Sequence, residues 1–263
     1  KTIRIVSLVT IGIAILLAIL IPLGWFTINT FISLVGVFGI AIPTIYFIIM
    51  YRSPKTTEVE RSRIIAYIPL FIASVMFWAI QEQGATILAS YADTRTDLEF
   101  FGFTLSPAWF QSLNPLFIIL LAPVFAWLWV RLGDREPSIP TKFAFGILFA
   151  GISFLVILLP AYFSGPDALV NPLWLVLSYF IVVLGELSLS PVGLSATTKL
   201  APAAFSAQTM SLWFLSNAAA QGINAQLVKF YSPENEMLYF GVIGGVAIIL
   251  SLILFALAPK IKI

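Results

Sequence analysis

Apolar residues run along the chain in long blocks, and the segments between the blocks carry nearly all of the charge. A membrane-crossing helix needs about 20 mainly apolar residues. Eight blocks meet that requirement, at 5–25, 31–51, 64–91, 107–130, 142–163, 172–192, 207–230 and 237–258. Strands of a membrane barrel would alternate apolar and polar positions over about 10 residues. These blocks are longer and apolar on all sides, which predicts helices. Pro69, Pro115 and Pro191 fall within blocks, where each removes a backbone hydrogen bond that a neighbour or water must replace. Asn114 beside Pro115 places an amide at such a point. Gly241 and Gly245 have the spacing of either a close helix contact within the chain or a dimerisation face.

Composition agrees with the pattern. Of 263 residues, 60% are hydrophobic and 10% charged, against about 25% charged in soluble domains. There is no Cys and no His, which excludes disulfides, thiolate or imidazole metal sites and triads built on either residue. No metal or organic cofactor is expected, and any proton or cation chemistry must run on the carboxylates. A net charge of +2 does not suit a nucleic-acid partner.

Lys and Arg are retained on the cytoplasmic side of membranes. With the N-terminus inside, all 14 basic residues fall at inner ends except Arg95 and Lys229. This bias predicts eight transmembrane helices with both termini inside. Residues 1–51 form a peripheral helical hairpin with no charge between Arg4 and Arg52, residues 52–63 a charged cytoplasmic linker, and residues 64–263 a six-helix bundle. Trp25, Trp109, Trp127, Trp129 and Trp174 fall near predicted interfaces, where aromatic belts sit. Trp78 and Trp213 are deeper.

Among 12 acids, only Glu82 and Glu186 lie well inside predicted spans. A charge near the bilayer centre costs about 2.5–3.5 kcal/mol on insertion scales, so such residues are functional candidates. No basic residue of the chain shares their depth. Each needs a proton, a substrate cation, hydrogen-bond donors or a cation from outside the chain. The plainer alternative is a neutral carboxyl hydrogen-bonded to backbone or Ser.

Several segments, taken in order, resemble the proton-dependent oligopeptide transporters of the major facilitator superfamily. Phe77-Trp78-Ala79-Ile80-Gln81-Glu82-Gln83 is similar to that family's seventh transmembrane helix and Gln111-Ser112-Leu113-Asn114-Pro115 to its eighth. Arg131-Leu132-Gly133-Asp134-Arg135 resembles the following inner loop. Gly185-Glu186-Leu187-Ser188-Leu189-Ser190-Pro191 resembles the tenth helix, and Met210-Ser211-Leu212-Trp213-Phe214-Leu215-Ser216 the eleventh. The resemblance implies an all-α integral membrane fold: the six-helix carboxy-terminal bundle of a major-facilitator transporter, preceded by the two extra helices that bacterial members insert between their halves.

It further implies that Glu186 receives a peptide's ammonium and that Asn114 hydrogen-bonds the same end. Trp78, Trp213 and Phe214 would wall side-chain pockets, and Glu82 would take part in proton-coupled gating with an arginine of the first helix. The family's amino-terminal half, with its E-x-x-E-R-F-x-Y-Y motif, is not in this sequence, and a start at Lys1 rather than Met fits a piece of a longer chain. The implied activity is proton-coupled import of di- and tripeptides across a bacterial inner (plasma) membrane, with the isolated chain transport-inactive. Two alternatives stand beside it. One is transport of another small solute, such as nitrate or a drug. The other is a non-transporting membrane binding or assembly module, in which the polar face self-associates or is covered by lipid. No nucleophile–base pair or phosphate loop suggests an enzyme.

Overall fold

The computed structural model describes residues 2–100, 102–165 and 168–261. Lys1, Asp167 and Lys262, which contribute to the sequence's charge pattern, lie outside the described residues. The chain folds into helices joined by short connections: α1 (Thr2–Leu20), α2 (Ile28–Arg52), α3 (Glu58–Gln81), α4 (Ile87–Thr94), α5 (Leu113–Leu132), α6 (Ile139–Ser164), α7 (Leu173–Leu200), α8 (Ser206–Leu227) and α9 (Glu236–Leu257). Among the described residues, six helical segments could cross a membrane by length and composition: 28–52, 58–94, 107–135, 139–163, 173–200 and 233–260. α1 is not in that set. Neither is α8, whose Gln208, Asn217, Gln221, Asn224 and Gln226 dilute its apolar content.

Local chemistry accounts for several boundaries. Thr57 caps α3 through a reciprocal capping box with Glu60, satisfying amides that the first turn leaves free. The other oxygen of Glu60 accepts the Ala203 amide at 2.8 Å, tying the first turn of α3 to the loop after α7. The block expected at 64–91 is not one continuous helix. α3 ends at Gln81, a 3₁₀ turn occupies Glu82–Ala85, and α4 continues to Thr94. The segment expected to begin at 107 starts with a 3₁₀ turn, Pro107–Ser112, so Asn114 and Pro115 sit in the first turn of α5 rather than mid-helix. Pro has no amide to lose there, which is why the first turn tolerates it. Pro69 and Pro191 are carried inside α3 and α7 without ending them. The connection before α5 holds a feature that its sequence does not suggest, a small antiparallel hairpin of β1 (Glu99–Phe100) and β2 (Phe103–Thr104), turned at Gly102 with φ +78°.

α6 packs between α7 and α9, and these three form the densest part of the bundle with α3 against them. Glycine makes the close approaches possible. A Cβ on Gly185 would lie 2.6 Å from the Gly146 carbonyl oxygen, and one on Gly151 would lie 2.8 Å from that of Gly244. The close α6–α9 contact thus uses Gly244. A Cβ on Gly245 would meet nothing within 4 Å and one on Gly241 only Leu158, so their spacing does not mark the helix contact within the chain. Phe77, Phe143, Phe154 and Phe240 fill the core. α2 lies against α8, where Gly36 meets the Gly222 backbone and Gly39 meets Ala218 and Ala219. α5 packs against α7 and has no buried residue.

The end of α4 is fastened to the start of α9. Arg95 Nε donates to both oxygens of Glu236 at 3.0 Å, and Nη2 lies 2.8 Å from Oε1. Both residues are buried, at 6% and 4% exposure. The backbone of Arg95 and Asp97 also pairs with Val170, bringing the loop before α7 to the same place. Removing one partner strands a buried charge, which costs about 3–5 kcal/mol, whereas replacing both with apolar residues is often nearly neutral. Glu236→Leu is therefore expected to lower the thermal unfolding midpoint in detergent sharply, and Arg95→Met/Glu236→Leu to restore most of it. Equal losses in the single and double variants would contradict this.

Candidate functional site

The site is organised by four consecutive residues, Gln81-Glu82-Gln83-Gly84, at the junction of α3 and its 3₁₀ turn. Each of the four reaches a different set of neighbours. Gln81 Nε2 donates to Glu186 Oε2 on α7 at 2.9 Å, and Asn114 Nδ2 on α5 donates to the same oxygen at 3.1 Å. Glu82 faces α8, where Asn217 Nδ2 donates to its Oε1 and Gln221 Nε2 to its Oε2, each at 2.7 Å. Gln83, 1% exposed, accepts from Tyr239 Oη on α9 at 2.8 Å and donates to Asn224 Oδ1 on α8 at 3.1 Å. The Gly84 carbonyl accepts from Tyr179 Oη at 3.0 Å and from Gln111 Nε2 at 2.8 Å.

The backbone explains this concentration of polar groups. A change from α to 3₁₀ geometry alters the hydrogen-bond ladder, and backbone groups inside an apolar bundle must find partners. Tyr179 and Gln111 supply them for Gly84. The side chains of residues 81–83 fan out around the same turn, so three helices can meet polar atoms at one level.

The two acids differ in their surroundings. Both oxygens of Glu82 are occupied by amides. Glu186 is bonded through Oε2, and among the described residues its Oε1 accepts no hydrogen bond. Both carboxylates are half-buried, and neither forms an ion pair among the described residues. Amide N–H groups are donors that can hold a carboxylate without neutralising it.

Of the residues singled out in the sequence, Glu186 and Asn114 are in direct contact. Trp78 and Trp213 meet edge to face with ring centroids 6.4 Å apart. Trp213 is buried; its ring lies on Gly193 of α7 and edge-on to Phe143 of α6. Gly193 leaves the space that the indole fills, and any side chain there would collide with it. Phe214, its neighbour in sequence, is 65% exposed. Glu82 joins the cluster through α8. The sequence does not single out Gln81, Asn217 and Gln221 as site residues, although Asn217, Gln221 and Asn224 recur at i, i+4 and i+7 and so share one helix face.

These features define a multi-pass membrane protein with polar side chains converging inside the bundle, the arrangement of a solute transporter. Residues 18–246 match the POT family, PTR2. The chain belongs to this family of transporters. It is 58% identical over 98% of its length to "Uncharacterized transporter YclF" of Bacillus subtilis (strain 168), of which it covers 52%. It is 44% identical over 89% of its length to the "Di-/tripeptide transporter" of Lactococcus lactis subsp. cremoris, covering 48% of that protein. The fold matches a crystal structure of a peptide transporter POT in complex with sulfate, with a TM-score of 0.95 and 74% identity over 99% of this chain and 53% of that one. The chain spans about half the length of the curated relatives it matches. The fold is accordingly the all-α, major-facilitator type.

The position of Glu186 depends on the contact between α6 and α7 beside it. A methyl group on Gly185 would meet the Gly146 carbonyl oxygen, Phe149 and Phe77. Overpacking of this kind costs about 1–3 kcal/mol. Gly185→Ala is expected to lower the unfolding midpoint in detergent, while Gly245→Ala, which meets nothing, leaves it in place. An unchanged midpoint in Gly185→Ala would contradict the packing described.

Proposed function

We propose that this chain forms one half of a proton-coupled symporter that imports di- and tripeptides across a bacterial inner membrane, with its N- and C-termini on the cytoplasmic side. The observation that carries the reading is the unequal satisfaction of the two acids. Glu186 has one oxygen steadied by Gln81 and Asn114 and the other left without a donor among the described residues. That oxygen can receive an ammonium group, and charge-assisted hydrogen bonds are roughly twice as strong as neutral ones. Asn114 sits beside the same end of the peptide. Trp78 and Trp213 form an aromatic wall, with Phe214 exposed next to it for contact with substrate or with the second half. The similarity to di-/tripeptide transporters supports peptide as the cargo.

Glu82 is suited to a different task. Both of its oxygens are held by α8, which supports a role as a proton-coupled gating group rather than as a substrate ligand. The second half supplies a cation to Glu82 and the groups that bind the peptide carboxylate. In the outward-open state the peptide enters with its ammonium on Glu186. A proton from outside then reaches Glu82, weakens its attachment to the other half, and lets the two halves rock around the central site. Proton and peptide leave to the cytoplasm together.

In the complete transporter, Glu186→Gln is expected to raise the apparent KM for dipeptides by about 10- to 100-fold, the effect of losing a hydrogen bond to a charged group worth about 1.5–3 kcal/mol. An N-acetylated dipeptide, which has no ammonium, should show little difference between wild type and variant. Equal KM values for the free dipeptide would refute the ammonium role. Glu82→Gln is expected to abolish accumulation against a gradient while part of peptide counterflow remains, and normal accumulation would refute the gating role.

A further inference from the structure

We infer that Asn217 and Gln221 on α8 are positioning residues that read the protonation state of Glu82 and pass it to α8. The inference rests on the gating role proposed above for Glu82 and adds the receiver of its signal.

The geometry is specific. The two amides approach from one helix, one turn apart, and each takes a different carboxylate oxygen at 2.7 Å. An ionised carboxylate only accepts hydrogen bonds, so it matches two N–H donors. Protonation converts one oxygen into a hydroxyl that must donate. Each of these two side chains also carries an amide carbonyl oxygen that can accept such a bond. The protonated state therefore weakens the bond to that oxygen, or turns one amide over to offer its carbonyl oxygen to the new hydroxyl. In either case α8 and the 3₁₀ turn are joined differently in the two states. The proton comes from the aqueous side that the cavity faces and returns to the opposite side; no other group needs to be consumed.

Among the described residues, the two amides are the groups bonded to the Glu82 carboxylate. α8 carries no titratable residue. Glu186 is the nearby carboxylate on α7 and is held separately by Gln81 and Asn114. Tyr179 on α7 is engaged with the Gly84 carbonyl and Tyr239 on α9 with Gln83. Tyr91 on α4 lies in the core, and Arg95 is paired with Glu236. One turn beyond Gln221, Asn224 holds Gln83 through Oδ1, while its buried Nδ2 has no partner among the described residues. The amide face of α8 thus follows residues 82 and 83 together, so a change at Glu82 is felt along the helix that also carries Trp213.

The test is the pH profile of peptide uptake by the complete transporter in proteoliposomes. Gln221 is exposed, so Gln221→Met removes its donor without disturbing the core. Asn217→Leu removes the other. Each is expected to move the pH of half-maximal uptake to higher values by about one unit, the size expected for losing one hydrogen bond to a charged group. In a Glu82→Gln background, read through the peptide counterflow that remains, the same substitutions should leave the pH dependence unchanged, an outcome that a merely structural role would not give. A wild-type profile in Gln221→Met, or an equal shift with Glu82 already replaced, would overturn the inference. If Glu82→Gln alone retains wild-type accumulation and pH profile, the gating role itself fails, which separates that failure from one confined to the amides.

Discussion

The break in helical geometry after Gln81 governs how the polar side chains of the bundle are arranged. A bundle of apolar helices has little use for polar side chains, yet this chain collects them at one level, because backbone groups released by a 3₁₀ turn need partners. Tyr179 and Gln111 settle the carbonyl of Gly84. Once those partners are in place, the neighbouring side chains are directed to three further elements: Gln81 to α7, Glu82 to α8, Gln83 to both α8 and α9. The two carboxylates of the site are therefore linked through adjacent backbone positions, with only one peptide bond between Gln81 and Glu82.

Around this turn the bundle is uneven. On one side, glycines bring α6 to within backbone contact of α7 and α9, and aromatic side chains fill what remains. On the other, α5 buries no residue, and α8 displays Phe214 while keeping Trp213 inside. Close packing resists small displacements, because a dense interior has no spare volume to absorb them. The α6–α7–α9 side is accordingly suited to serve as a rigid frame beside the polar seam with α5 and α8.

Much of this is visible in the sequence, and the limits follow from physics. Long apolar blocks announce helices because length and hydropathy are local properties, and Glu82 and Glu186 stand out because charge within such blocks is expensive. The 3₁₀ turn is not visible: Gln-Glu-Gln-Gly contains no Pro, and its geometry is decided by partners more than 25 residues away in sequence, among them Gln111 and Tyr179. Asn114 is recognisable, but the apolar pattern starts its helix too early, since Pro107 opens a 3₁₀ turn rather than α5. Gly241 and Gly245 draw attention through spacing alone, whereas the contact is made by Gly244 because the facing helix presents Gly151 there. The i, i+4, i+7 amides of α8 are legible as a polar face; what they hold is not, because a pattern on one helix does not name its partner.

On the proposed function, the 3₁₀ turn joins Glu82 and Glu186 into one coupled unit. A double-mutant cycle on dipeptide affinity tests it most directly, using Glu82→Gln, Glu186→Gln and the double variant in the complete transporter. The predicted coupling energy is at least about 0.5 kcal/mol, the range found for residues coupled through a shared backbone shift. Effects that simply add would show two independent acids and contradict it.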